Sequence, residues 1–469
     1  MEGVEITNKQ LHLILSFAAN SEKKEKPPPA RRTESPTTTT TATTTATTMR
    51  ATAAGGRTLR RSSSSGRTTA RTAGIARPSK ASNIIDRTVS GGILGGCKAL
   101  GPRRTQRSCA PRASASAREK EVGAKGLGTK GECPWVKGVR VLGCGSSAPS
   151  KVVTNVDLEK LVETNDEWIA TRTGIRERRV LVEGETLSSH AAEAAMRALE
   201  ASNVRPEEVD LIVLATSSAD DLFGSAPMVQ AAIGADNAAA FDVTSACSGF
   251  VVGLITGAQY VRTGAYSKVL VVGGDALSRF VDWTDRNTCI LFGDGCGACV
   301  LSAQDPAEFG CNLLSFHIES DGSLRKHLNA GYSGTGDKTA EKVAGGRGKH
   351  GSYSNIYMSG QDVFKWAVRA VPSAVKKSLD LSGKDVSEID WLLLHQANTR
   401  ILESASSRLG VPPEKVISNI SQYGNTSAGS IPLALDEAVK KGQIKKGDLI
   451  ATAGFGAGLT CASAVFLWD

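Results

Sequence analysis

The chain has 469 residues, 40% of them hydrophobic and 22% charged, which excludes a collagen-like, coiled-coil or wholly disordered protein. No apolar run approaches the roughly 20 residues needed to span a bilayer, and ten Cys in so long a chain are not a disulfide framework. The formal charge of +9 is unevenly placed: residues 1–118 carry 21 Lys and Arg against 6 Asp and Glu, while 119–469 carry a net −6. A mildly acidic body gives no support for nucleic-acid binding.

The N-terminal stretch comes first. Residues 37–48 read TTTTTATTTATT, and from Met49 to Arg118 the one acidic residue is Asp86, against 15 basic ones. Apolar periodicity is absent, so burial cannot offset the entropy of ordering this segment. A Ser/Thr/Arg-rich, acid-poor N-terminus has the composition of an organelle transit peptide. Residues 1–118 are therefore expected to be a disordered organelle transit peptide, for the plastid stroma or, as the alternative, the mitochondrion. Translation starting at Met49 fits the same reading, because the acid-poor stretch begins there. Leu11–Ala19 is apolar, but its upstream flank carries Glu2 and Glu5 against Lys9, which is wrong for a signal peptide. Residues 119–137 read as a linker.

From 138 onward strand and helix patterns alternate, which implies an α/β fold. VRVLGCG (139–145), VDLIVLATSS (209–218), KVLVVGGD (268–275) and CVLSA (299–303) read as buried strands. Helical periodicity fits Leu187–Ser202, Ser248–Thr263 and Val363–Leu379. Two stretches match each other: EEVDLIVLAT (207–216) lies over SEIDWLLLHQ (387–396), and TSACSG (244–249) over TSAGSI (426–431). Each stretch would run strand, loop, helix, second short strand, TSA turn, helix. The body thus reads as two related α/β halves, 138–306 and 307–469, whose interface is the natural place for a site.

Cys247 sits on the first TSA turn, before an apolar, small-residue helix. A helix N-terminus favours thiolate over thiol, which would make Cys247 an activated nucleophile. His395 ends the strand in LLLHQANTR, and Asn425 precedes the second TSA turn in YGNTSAGSIP. If the halves face each other, a soft nucleophile, a base or donor, and a neutral amide converge. The turn in GFGAGLT (454–460) could bring the backbone N–H groups of Gly456, Ala457 and Gly458 to a reacting carbonyl, completing an oxyanion hole with the Cys247 N–H. Cys296 and Cys299 form a lone C-x-x-C, better read as small-residue packing than as zinc ligands or a redox pair.

TNDEWIATRTGIRERR (164–179), DVTSACSGF, HQANTRI, YGNTSAGSIPLAL and GFGAGLT together resemble the β-ketoacyl-[acyl-carrier-protein] synthase III family of the thiolase superfamily. The resemblance spans about 138–469, and Cys–His–Asn separates it from the elongating synthases, which use Cys–His–His. It implies a five-layer αβαβα fold of two duplicated halves. It implies condensation of acetyl-CoA with malonyl-acyl-carrier protein, giving acetoacetyl-carrier protein, CoA and CO2, with no metal or redox cofactor. It also implies roles: Trp168 and Arg286 around the CoA adenine, Arg172 at the nucleotide phosphates, and Arg400 docking the carrier protein. Phe223 and Phe455 would shape the acyl pocket, Phe223 by crossing a homodimer interface. The remaining Arg residues of 172–179 could form a solvated face. The loop 325–354 departs from the family pattern, and the following MSGQDVFK would lie near pantetheine. Rival readings are a Cys–His–Asn synthase with other acyl substrates, hydroxymethylglutaryl-CoA synthase, and a silent carrier-protein-binding scaffold.

The charge split makes a testable statement about targeting. A chain starting near Glu119 is expected to fold and keep full activity. Residues 1–118, or 49–118, fused to a fluorescent protein should reach plastids in live cells. A fusion of 49–118 that stays cytosolic would make the first 48 residues part of a two-step signal.

Overall fold

The computed structural model describes residues 137–305, 311–333 and 352–469. The segment 1–118, most of the linker 119–137 and most of the loop 325–354 lie outside them. Among the described residues no helix is long and apolar enough to cross a membrane.

The first half runs β1 (Gly138–Ser147), β2 (Lys151–Thr154), α1 (Asn155–Leu158), α2 (Asp166–Thr173) and β3 (Glu177–Val180). It continues with α3 (Leu187–Ala201), β4 (Leu211–Ala215), α4 (Ala226–Ile233), β5 (Ala239–Val243) and α5 (Gly249–Arg262). β6 (Lys268–Ala276), α6 (Arg286–Cys289) and β7 (Asp294–Gln304) complete it. The second half opens with β8 (Leu313–Ser320) and four two-residue strands: β9 (Leu328–Asn329), β10 (Tyr332–Ser333), β11 (Ser352–Tyr353) and β12 (Tyr357–Met358). Then come α7 (Gly360–Ser382), β13 (Trp391–Leu394), α8 (Thr399–Leu409), α9 (Ile420–Tyr423), α10 (Ser430–Lys440), β14 (Leu449–Gly456) and β15 (Thr460–Leu467).

The two main sheets repeat one topology. The first is ordered β1-β7-β6-β4-β5 and the second β8-β15-β14-β13. In each, the first two pairings are antiparallel and the next is parallel. The expected second short strand forms only in the first half, as β5. Its counterpart is a single parallel bridge, Leu392 to Val416. Pro412 and Pro413 open a 3-10 turn directly before Val416, and Pro lacks the N–H that a ladder needs.

Alternation along the strands sorts the core into layers. Leu211 and Val213 face a central core with Leu254 and Val261 of α5, Ile431 and Leu435 of α10, and Leu393 and Ile450 of the second sheet. Ile212 and Leu214 face the opposite way, under α3 and α4. Leu392 and Leu394 do the same under α7 and α8. The result is helix, sheet, helix, sheet, helix, as the resemblance implied. Cys296 and Cys299 fall on opposite faces of β7, in different clusters. They are packing residues, and a disulfide between them is geometrically excluded.

Leu254 is 1% exposed in the central layer. Leu254→Ala should cost about 2–5 kcal/mol in denaturant unfolding, whereas Leu161→Ala, at an exposed position, should stay within about 0.5 kcal/mol.

Candidate active site

Cys247 lies in a 3-10 turn, Ala246–Ser248, immediately before α5. Ala246 adopts φ +46°, a left-handed conformation that costs energy for a residue with a Cβ. The matching turn of the second half is Ser427–Gly429, with Ser427 at φ +51°. The strained residues differ by 181 positions, so the structural register is one residue off the TSA-over-TSA match. Cys247 is matched in space by Ala428 rather than Gly429.

A cavity of about 840 Å³ is lined by Cys247, His395, Asn425, Phe455 and Gly456 together. The three residues singled out in the sequence therefore share one wall space, although they come from both halves. A smaller cavity of about 290 Å³ shares Cys247 and Phe292 with it and adds Leu277, Ser427 and Ala457. Strand β14 runs through Gly456, so the turn in GFGAGLT is shorter than the motif suggested. A Cβ at Gly456 would stand 2.6 Å from the Cys247 nitrogen. Only glycine permits that approach.

Burial sets the protonation of the site. It pushes the Cys247 thiol up to about 12, with the Asp275 charge adding to the rise and a Ser427 hydrogen bond opposing it. The expected resting thiolate is therefore corrected: loss of water outweighs the helix terminus, and the resting group is a thiol. Burial pushes His395 down to about 3, so its imidazole is neutral. His395 Nδ1 and Ser430 Oγ are 2.7 Å apart, and the ring meets Phe455 edge-on at 5.2 Å between centroids. The Asn425 amide oxygen accepts the Ser427 N–H at 2.8 Å. Its backbone is bound on both sides, Asn425 N–H to Leu291 O at 2.8 Å and Gly293 N–H to Asn425 O at 3.0 Å.

The other expected residues divide. Trp168 and Arg172 of α2 line the large cavity, as does Arg400 at the start of α8. Arg172 and Arg286 both stack on Trp168, their Cζ atoms 4.3 and 4.8 Å from the ring centroid. Met358, Ser359, Gly360 and Gln361 of the MSGQDVFK segment are also on the wall. Phe223 is 93% exposed and lines neither cavity within one chain, so it is not a core residue. Arg178 departs from the solvated-face reading: it is fully buried, donating to Asn155 Oδ1 at 2.9 Å and Ile290 O at 2.8 Å.

Sequence reasoning missed Ser430, Ser427, Phe292 and Asp275. For Asp275 a signal existed, since it is a carboxylate closing the apolar strand KVLVVGGDA. The serines lay inside a motif already noted, but their partners are distant in sequence.

Two duplicated halves stacked in five layers make this a thiolase-like enzyme. Residues 241–322 match the family described as 3-Oxoacyl-[acyl-carrier-protein (ACP)] synthase III, and 379–468 match its C-terminal part. The chain is 53% identical over 337 residues to the chloroplastic beta-ketoacyl-[acyl-carrier-protein] synthase III of Arabidopsis thaliana, covering 71% of this chain and 83% of that one. Identity is also 53% to the enzyme of the same name from Microcystis aeruginosa, over 70% of this chain and 97% of the relative. The crystal structure of 3-oxoacyl-[acyl-carrier-protein] synthase III from Aquifex aeolicus superposes with a TM-score of 0.64 at 41% identity, covering 71% of this chain and all of that one. The chain belongs to the 3-oxoacyl-[acyl-carrier-protein] synthase III family and is a condensing acyltransferase.

The buried imidazole has a pH consequence. His395 is neutral when folded but has an ordinary value near 6.5 when exposed. The unfolded chain therefore binds a proton that the folded chain does not, and stability falls as pH drops from about 6.5 toward 3. Denaturant midpoints measured across that range should fall less steeply for His395→Gln than for the unaltered protein.

Proposed function

We propose that this site joins acetyl-CoA to malonyl-[acyl-carrier protein] by decarboxylative Claisen condensation, opening type II fatty acid synthesis. The observation that carries the reading is the single cavity shared by Cys247, His395 and Asn425. Cys247 attacks the acetyl thioester carbonyl, the oxyanion rests on backbone N–H groups, and CoA leaves with the thiol proton. The Cys247 N–H and the Gly456–Gly458 segment are the proposed donors, supported by the close approach of Gly456 to the Cys247 nitrogen.

The malonyl thioester then enters. As CO2 departs, negative charge builds on the thioester oxygen. A neutral imidazole and a carboxamide can both donate there without bringing a counter-charge into a dry cavity. The Asn425 oxygen is already held by the Ser427 N–H, which assigns its Nδ2 to the substrate. With Ser430 donating to Nδ1, His395 carries its proton on Nε2. The resulting enolate attacks the acetyl carbonyl, and the Cys247 sulfur leaves as a thiolate that takes up a proton from solvent to restore the resting thiol.

Trp168, with Arg172 and Arg286 beside it, suits an adenine ring and phosphates at the mouth. Arg400 is exposed there and suits an acidic carrier protein. The smaller cavity, with Leu277, Phe280 and Phe292, suits the acyl group, and Phe455 lines the larger cavity, which shares Cys247 with it. The exposure of Leu222 and Phe223, 87% and 93%, supports a homodimer in which Phe223 reaches the partner's acyl pocket. The halves are divided as 138–306 and 307–469, after a transit peptide 1–118 that delivers the enzyme to the plastid stroma. The chloroplastic name of the Arabidopsis relative supports that address.

Labelled acetyl-CoA with malonyl-carrier protein tests the reading. Cys247→Ala should abolish the acetyl adduct in intact-mass spectra and abolish condensation. His395→Ala or Asn425→Ala should slow decarboxylation by about 10²–10³-fold while acetyl transfer to Cys247 falls far less. An adduct persisting in Cys247→Ala would remove the nucleophile assignment. Equal loss of both half-reactions would make His395 chiefly a base for Cys247.

A further inference from the structure

The condensation proposed above needs donors on the second half to keep a constant spacing from the nucleophile on the first. One buried carboxylate spans the two. Asp275 is the penultimate residue of β6 and has no exposed surface. Its Oδ1 accepts the Ser217 N–H at 2.7 Å, the Ser218 hydroxyl at 2.8 Å and the Thr216 hydroxyl at 3.1 Å. These three residues follow β4. Its Oδ2 accepts the Ala428 N–H at 3.2 Å, in the turn of the second half. The Ser427 hydroxyl acts on both Asp275 and Cys247 and can give its one proton to either. The Ser427 N–H holds the Asn425 amide.

We propose that Asp275 is a positioning residue for the condensation, fixing Asn425 relative to Cys247 through Ser427 and Ala428. The proposal rests on the reaction read above, but the contacts do not. Every partner named here is a neutral donor. Burying a charge is costly unless hydrogen bonds replace its water; burial raises the Asp275 carboxyl above its usual range, and the Ser217, Ser218 and Ala428 donors work against that rise. Its neighbourhood makes the charge readable. Cys247 faces Asp275 from β6 and the neutral His395 from the end of β13. Cys296 of β7 faces Asp275, and Asp294 and Asp220 also act on Cys296. The Asp275 charge raises the Cys247 thiol, and the Ser427 hydrogen bond lowers it. Removing each should therefore shift Cys247 in opposite directions.

Asp275→Asn keeps the shape, removes the charge and replaces one acceptor oxygen by a donor. A displaced Asn425 should slow decarboxylation of malonyl-carrier protein by about 10²-fold, while acetyl transfer to Cys247 falls less than about tenfold. Alkylation of Cys247 by iodoacetamide near pH 8 should quicken severalfold, because the Asp275 charge raises the thiol. Ser427→Ala should slow the same alkylation and also slow decarboxylation. Adduct mass on Cys247 is followed by peptide mapping, and thermal melts report folding. Should Asp275→Asn not fold, Ser427→Ala carries the test alone. Unchanged alkylation in the folded variants, or equal loss of both half-reactions, would overturn the proposal. Because iodoacetamide is no substrate, a protein that alkylates as expected but never condenses would sink the reaction and spare the coupling.

Discussion

A side chain at Gly456 would stand 2.6 Å from the Cys247 nitrogen, and one at Gly273 would stand 2.5 Å from the Ala428 carbonyl oxygen. These contacts are reciprocal. Gly456 ends the inner strand of the second sheet and touches the turn of the first half. Gly273 lies near the end of the inner strand of the first sheet and touches the turn of the second. Backbone approach of this kind tolerates no Cβ at either glycine. It puts both turns in the centre of the molecule, at the carboxyl ends of parallel strands β4 and β13, and there the cavity forms.

The same closeness dries the site. Loss of water raises the thiol and lowers the imidazole, so the resting cavity holds Cys247 and His395 uncharged. Neutral donors then become the useful groups, because negative charge moves onto the thioester oxygen as CO2 leaves. A hydrogen bond to a developing enolate is worth more in that medium than in water. The buried Asp275 carboxylate stands out against this background. It is held by donors from both halves, which ties the geometry of the turns to the electrostatics of the thiol.

Legibility in the sequence followed the range of the interactions. The duplication was visible because each half buries its strands on both faces, giving VDLIVLAT and IDWLLLHQ as continuous apolar runs. Cys247, His395 and Asn425 were visible because each sits at a strand end or turn with an unusual local motif. The missing fifth strand was foreshadowed by Pro412 and Pro413, but only the observed pairing shows that one bridge survives. Gln396, in HQAN, looks chemical in the sequence. It is instead a buried bracket, donating to Leu394 O at 2.7 Å and Ile417 O at 3.3 Å, where the absent strand would have run. Arg178 looked like surface charge because its partners, Asn155 and Ile290, lie far away in sequence. Ser430 was hidden for the same reason.

The halves are alike in topology and unlike in chemistry, and the register between them shows why. Where the second half ends its strand with His395, the first has Ala215. Ala215 is fully buried, with its Cβ 3.3 Å from the position a Cβ would take on Gly249 at the start of α5. An imidazole at 215 would collide with the helix that follows the nucleophile. Where the first half carries Cys247, the second has Ala428, whose N–H is held by Asp275 and whose carbonyl presses on Gly273. The Ala428 Cβ packs 3.3 Å from the position a Cβ would take on Gly249, at the start of α5, and Ala428 lines neither cavity. Duplication thus supplied two equivalent turns with unlike packing, and the cavity takes Cys247 from one half and His395 and Asn425 from the other.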